Sequence, residues 1–116
     1  MGMLLVETIK IEVLERWRVV YKEDEKWQCG IYSPEFSSKE EVSYLERHNA
    51  PELFLLIRGE VVLLLSKDGK EVEEVRMKPG IIYIVEEWHN AYSPKRDGVV
   101  LVIERPDIKT EYIRLS

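Results

Sequence analysis

Residues 46–59 read ERHNAPELFLLIRG, so that polar side chains directly precede an apolar strand. Glu46 and His48 are two residues apart, so in an extended segment their side chains leave the same face. Pro51 interrupts the segment because it lacks an amide donor and disfavours helix before it. Glu52 then heads a wholly apolar run. A carboxylate in that position is either solvated at the rim or held by a partner.

The rest of the chain alternates short apolar or period-two segments with turn signals such as Asp68-Gly69 and Pro79-Gly80. Ser38 and Glu41 have the spacing of a capping box, which is compatible with one helical turn. This pattern predicts an all-β sandwich or barrel. The predicted strands are 8–13, 16–21, 27–32, 42–48, 52–58, 60–66, 71–77, 81–85, 89–93, 99–104 and 110–115.

Length and composition restrict the class of protein. A chain of 116 residues predicts a single domain over residues 1–116. The net charge of -5 argues against nucleic acid as the main partner, because a phosphate-binding face needs excess Lys and Arg. Charged residues form 34% of the chain, whereas the amides are few, a composition typical of thermophilic proteins.

Cysteine usage and hydropathy predict the compartment. Cys29 is the only cysteine of the sequence, so no intrachain disulfide can form, which suits a reducing compartment. The start of the sequence has no signal-peptide pattern, and no apolar run is long enough for a membrane helix. We therefore expect a soluble cytoplasmic protein without a membrane partner.

Residues 46–59 resemble the first sequence motif of the cupin family. His48, Glu52 and Gly59 match the second histidine, the glutamate and the closing glycine of that motif. Glu46 stands where the first histidine belongs, and Glu40 replaces the opening glycine.

Residues 79–93 resemble the second cupin motif, with His89 as its histidine. The turn before His89 is about two residues shorter than in typical members and contains Glu86-Glu87, and Ser93 replaces the motif's asparagine. The resemblance extends over roughly residues 44–104. It implies that the all-β fold is a cupin jelly-roll barrel.

The resemblance also implies a metal site, because the two histidines of the sequence both occupy cupin ligand positions. His48, Glu52 and His89, with Glu46 as a fourth candidate, provide two imidazoles and up to two carboxylates. This set suits Fe(II), Mn(II), Ni(II) or Zn(II) better than Mg or Ca. In the alternative interpretation, His48 and Glu52 are hydrogen-bonded in the barrel mouth, and His89 is a polar pocket residue.

Strand periodicity selects further candidates for the pocket wall. Tyr44 shares a face with Glu46 and His48, and Ala91 and Ser93 share a face with His89, so these three are predicted to line the pocket. Trp88, Trp17 and Trp27 are interpreted as packing residues. Cys29 lacks a basic neighbour and is interpreted as an inert thiol.

Two functions remain open at this point. In the first, the protein is a small cupin that holds a divalent transition metal and binds a small organic acid, sugar or aromatic molecule. In the second, the barrel is a metal-free binding or interaction module. The sequence does not decide whether the protein is an enzyme, because fold does not determine chemistry. The family resemblance implies a homodimer in both cases.

Overall fold

The computed structural model describes residues 6–115, which form ten β-strands and no α-helix. A short 3₁₀ turn, Lys39–Glu41, follows Ser38. The strands are β1 (Trp17–Glu23), β2 (Trp27–Tyr32), β3 (Tyr44–His48), β4 (Glu52–Arg58), β5 (Val62–Ser66), β6 (Glu73–Arg76), β7 (Ile82–Val85), β8 (Trp88–Tyr92), β9 (Val99–Glu104) and β10 (Thr110–Arg114).

The strands form two antiparallel five-stranded sheets. The first sheet has the order β1-β2-β9-β4-β7, and the second has the order β10-β3-β8-β5-β6. Strands that follow each other in the sequence often lie in different sheets, as β3 and β4 do, so the chain crosses repeatedly between the layers. The all-β jelly-roll prediction is therefore confirmed.

The core lies between the two sheets and follows from the period of two along each strand. In β4 and β9, Phe54, Leu56, Val100 and Val102 face inward and are buried. The alternate residues face outward. Several of them, such as Leu53, are half-buried. Each fully buried aliphatic side chain contributes about 1.5–3 kcal/mol to the free energy of unfolding, so this layer holds the sheets together.

The strand predicted over residues 8–13 is wrong. Residues 6–15 belong to neither sheet, and the side chains of Ile9 and Val13 remain 46% and 42% exposed. An alternating pattern creates an apolar face, but a strand also needs a neighbouring edge for its backbone hydrogen bonds. No described strand pairs with this segment.

The aromatic residues near the start of the chain have different environments. Trp17 packs against the main core cluster, as predicted. Trp27 packs against Tyr21, with ring centres 5.4 Å apart, but it remains 41% exposed and so packs at the surface. Within residues 6–115, no helix has the length and apolar character needed to cross a membrane.

Gly59 connects β4 to β5 and has a positive φ of 77°. A Cβ atom at this position would overlap the backbone carbonyl of Asp97 in the loop before β9. The backbone N–H of Glu60 also donates to Asp97 Oδ1 at 3.1 Å. The two loops are therefore in direct contact, and a glycine is needed for both conformation and space.

We expect Gly59→Ala to lower the free energy of unfolding by more than about 2 kcal/mol, because strain and overlap add together. Gly80→Ala is the matched control, since Gly80 has a φ of 79° but no atom within 4 Å of the added Cβ. It should cost only the conformational strain, about 1–2 kcal/mol. Equilibrium urea unfolding measures both losses, and equal losses would contradict the role of the Asp97 contact.

Candidate metal centre

A cavity of about 240 Å³ opens between the two sheets. Both sheets contribute polar side chains to its wall, and aromatic and aliphatic residues complete it. The polar residues that matter most for its chemistry are Arg16, Glu46, His48, Glu52, His89 and Glu104.

The second sheet fixes the direction of Glu46 and both histidines. Glu46 lies directly opposite His89 in the β3–β8 pair, and His48 lies opposite Thr110 in the β3–β10 pair. Directly opposed residues of antiparallel strands share a face of the sheet. All four side chains therefore point into the cavity, including that of Glu46, the fourth candidate ligand.

The first sheet supplies Glu52, which begins β4 and faces inward with Phe54. Its Oε1 atom lies 2.7 Å from His48 Nε2 and 3.2 Å from His89 Nε2. The three side chains are all buried, with exposed fractions of 8% or less. The two imidazoles thus converge on one carboxylate oxygen.

Hydrogen bonds on the far side of each ring set its orientation. His89 Nδ1 lies 2.8 Å from the carbonyl oxygen of Glu87, which can only accept, so Nδ1 carries the proton. A neutral His89 therefore presents the lone pair of Nε2 to the cavity. His48 Nδ1 lies 2.9 Å from Thr110 Oγ1, a hydroxyl that can accept the same kind of bond. Metal-binding histidines are commonly oriented in this way.

The buried Oε1 of Glu52 receives no hydrogen bond of proper geometry from the described residues, although both Nε2 atoms are close. Lone pairs of oxygen and nitrogen that face each other in a buried site repel unless a proton or a metal ion lies among them. Either a proton on one of the imidazoles or a metal ion between the donor atoms would relieve this repulsion.

Glu46 completes a donor set that fits a metal ion. Its Oε1 lies 3.7 Å from His48 Nε2 and 3.8 Å from His89 Nε2, and the three donor atoms are within 4.8 Å of one another. These separations are too long for hydrogen bonds. They suit ligands that share one ion with bonds of about 2.0–2.2 Å. Imidazole nitrogen with carboxylate oxygen is the donor chemistry of Fe, Mn, Ni and Zn sites.

The pKa values in the cluster reflect its charges. Burial lowers the pKa of His48, but contact with Glu52 and the charge of Glu46 outweigh it, so the pKa lies above its ordinary value. Burial raises the pKa of Glu52, yet contacts with His48 and His89 outweigh that and lower it to about 2. In the metal-free protein, the Glu52 carboxylate is therefore ionised near neutral pH, and His48 holds its proton more strongly than a free imidazole does.

Glu104, at the end of β9, was not predicted as a site residue. It is buried, and Gln28 Nε2 donates to its Oε2 at 2.6 Å. Burial and the charge of Glu52 raise its pKa to about 7, although the Gln28 hydrogen bond opposes the shift. Glu104 ends an apolar strand, as Glu52 begins one, and this similarity in the sequence could have identified Glu104 as a site residue.

The predicted wall residues Tyr44, Ala91 and Ser93 do not line the cavity. Tyr44 packs edge-on against Tyr112, with ring centres 5.9 Å apart. Ala91 belongs to the main core cluster. Ser93 is fully buried, where its Oγ donates to the Glu60 carbonyl at 2.7 Å. Shared strand parity selected the correct face, but the cavity occupies only one end of each strand.

Other residues reach the cavity from distant parts of the sequence. Arg16 and Thr110 line it, and so does Trp17, which also packs in the core. No motif in the sequence marked the first two as site residues. Trp88 packs in the second core cluster, on the side of β8 away from the cavity, as predicted.

We expect Glu104→Gln to change the pH dependence of stability in the metal-free protein. The pKa of Glu104 is about 7 when folded, above the ordinary value near 4.3, so the neutral carboxyl favours folding at low pH. That contribution is lost as pH rises toward and through 7. The glutamine variant should therefore gain stability relative to wild type between pH 5 and pH 8.

Urea unfolding with a chelator at both pH values measures this change. Glu86→Gln, which alters an exposed carboxylate, is the control and should leave the pH dependence unchanged. A difference between Glu104→Gln and wild type that is the same at both pH values would contradict the prediction.

Comparisons with known proteins bear on the fold. No protein-family model matches the sequence, and no curated protein matches it. Among solved structures, a cupin-2 domain protein from Shewanella frigidimarina matches with a TM-score of 0.58 and 15% identity, over 77% of this chain and 78% of that chain.

Two named proteins have the same fold. The DMSP lyase DddQ from Ruegeria pomeroyi matches with a TM-score of 0.61 and 17% identity, over 84% of this chain and 49% of its own. Fe(II)-HppE, solved with an alternative substrate, matches with a TM-score of 0.52 and 11% identity, over 83% of this chain and 60% of its own. The chain thus spans only about half of the lyase. At these identities the likeness concerns the fold, and the chain has the fold of a small cupin barrel.

Proposed function

We propose that the protein binds a divalent transition metal (Fe, Mn, Ni or Zn) and, next to it, a small organic ligand in the cavity between the sheets. The observation that carries the proposal is the cluster of Glu46, His48 and His89, whose donor atoms could share one ion. The buried Glu52 lies beside both imidazoles, and its Oε1 has no hydrogen bond of proper geometry from the described residues. A protein of similar fold, HppE, is named as an Fe(II) form, which agrees with iron as one of the candidate metals.

Four side chains would bind the metal ion, and two other groups orient the imidazole rings. His48 and His89 would bind through Nε2, and Glu46 and Glu52 would bind through carboxylate oxygens. Two carboxylates balance the charge of a divalent ion, which makes its burial favourable. Thr110 and the Glu87 carbonyl keep both rings in the metal-binding orientation. A bound ion of this type would polarise a carbonyl or carboxylate of the ligand.

The cavity limits the size of the ligand. Its volume of about 240 Å³ exceeds the roughly 150 Å³ that holds one benzene molecule, and it is smaller than most drug-sized sites. A molecule of about one ring with one or two polar substituents fits this space. The buried carboxyl of Glu104, beside Glu52, could hold or release a proton there.

We expect purified untagged protein, after reloading, to contain nearly one equivalent of transition metal by elemental analysis. His89→Ala and Glu52→Gln should each lose most of it, because each removes a buried ligand. Glu87→Gln is the matched control, since it changes an exposed carboxylate but keeps the backbone carbonyl that orients His89. Circular dichroism should show that all variants fold.

Absence of metal in the reloaded wild type would overturn the proposal. It would favour the second candidate, a metal-free binding module. One observation supports this candidate. The 2.7 Å contact between His48 and Glu52 can form an ion pair by itself when His48 is protonated. In that case Glu52→Gln should lower stability without any metal to lose, and a thermal-shift screen of small acids and sugars would identify ligands.

We further propose a homodimer. Ile82 and Ile84 on the edge strand β7 are both 60% exposed, and an apolar edge strand is commonly covered by a second chain. Light scattering should give about twice the monomer mass, and a monomer at micromolar concentration would contradict this.

Four expectations from the sequence stay predictions: the cytoplasmic location, the absence of a nucleic-acid or membrane partner, a thermophilic source and the single-domain extent 1–116.

A further inference from the structure

We propose that Arg16 binds the carboxylate of the ligand, which is a small aromatic acid. This inference rests on the proposed function, since it identifies the ligand class of the same cavity. It concerns a residue that lies outside the metal cluster and outside both sequence motifs.

Arg16 is held in place at the wall of the cavity. Its backbone carbonyl accepts a hydrogen bond from the Ser33 N–H at 2.9 Å. Its guanidinium carbon lies 5.5 Å from the centre of the Tyr32 ring, and its Nη2 donates to the Tyr44 hydroxyl at 3.3 Å. These contacts fix the plane of the guanidinium before a ligand arrives, which lowers the entropy cost of binding.

The guanidinium keeps donors and charge for a ligand. Its closest carboxylate, Glu35, lies 3.2 Å from Nε, but the Glu35 side chain is 46% exposed and its charge is screened by water. The buried Nε atom has no hydrogen bond of proper geometry among the described residues. A guanidinium offers five N–H donors, so Glu35 and Tyr44 leave part of its capacity unused.

The charges of the cavity wall favour this one position for an anion. The acidic residues that line the cavity are Glu46, Glu52 and Glu104, which repel a carboxylate. Among the described residues that line it, Arg16 is the one guanidinium, and none is a lysine. A carboxylate entering the cavity therefore has two favourable partners, Arg16 and the bound metal. Paired N–H donors of arginine match the two oxygens of a carboxylate.

The uncharged part of the wall indicates an aromatic ligand. Trp17, Tyr32, Phe54 and Tyr112 line the same cavity as Arg16. Flat rings pack against aromatic side chains by stacking or edge contacts. A single ring with a carboxylate also agrees with the cavity volume of about 240 Å³. Benzoate is the simplest molecule of this class.

The test is calorimetric titration of metal-loaded protein with benzoate and with benzamide, which has the same shape but no charge. Wild type should bind benzoate at least about tenfold more tightly than benzamide, because only the carboxylate of benzoate forms charge-assisted hydrogen bonds with the guanidinium. Arg16→Gln should reduce this preference several-fold, to the part that the bound metal supplies, and leave the metal content unchanged. Arg16→Lys, which keeps the charge but not the planar donors, should retain part of it.

Arg18→Gln is the matched control. Arg18 lies in β1, where it pairs with Ile31, and it does not line the cavity. The substitution removes one positive charge, as Arg16→Gln does, but benzoate affinity should stay at the wild-type value. Circular dichroism shows whether Arg16→Gln folds, and Arg16→Lys decides the outcome if it does not.

Two outcomes would overturn the proposal: wild type that does not bind benzoate, or benzoate affinity that is unchanged in both Arg16 variants. Failure of the proposed function is distinguishable from these. If wild type takes up no metal, the same titrations on the metal-free protein still compare benzoate with benzamide. A preference that disappears in Arg16→Gln would then support the role of Arg16 alone.

Discussion

The buried carboxylate of Glu52 is the constraint on which the site depends. An ionised carboxylate removed from water is strongly unfavourable unless opposite charge or hydrogen bonds replace the lost solvent. Here two imidazoles approach its Oε1 at 2.7 and 3.2 Å, and their far nitrogens are held by Thr110 and the Glu87 carbonyl. The charge of Glu52 and the orientation of both rings are therefore parts of one arrangement.

The two-sheet architecture makes that arrangement specific. Glu52 comes from one sheet, while Glu46 and both histidines come from the other, so the cluster forms only when the sheets pack face to face. The short turn before β8 has a direct role. The backbone carbonyl of Glu87 in this turn accepts a hydrogen bond from His89 Nδ1–H. The shortened turn therefore orients the imidazole of His89, because the hydrogen-bond acceptor belongs to the turn itself.

The cavity combines opposite charges at separate places. Glu46, Glu52 and Glu104 make one region acidic, which suits a cation, whereas Arg16 adds a positive group stacked near Tyr32. Under the proposed function, a ligand that bridges these regions needs both an anionic group and a part that can approach the metal ion. This separation of charge restricts the class of ligand more than the fold does, because cupin barrels support unrelated chemistries.

The sequence by itself determined the strands and much of the cluster. Apolar runs between turn signals identified β4 and β9 at their full lengths, and the cupin resemblance selected His48, Glu52 and His89. Period-two patterns also predicted a strand at 8–13 that does not form, because a strand needs an edge to pair with and local sequence does not provide one.

Only the tertiary structure decided the rest of the site. It turned Glu46 into the cavity through its position opposite His89, and it placed Arg16 and Glu104 on the wall. It also moved Ala91 and Ser93 out of the predicted wall and into the core. The physical reason is that strand parity defines a face of the sheet. Which part of that face meets a cavity depends on strand order, register and the packing of the second sheet.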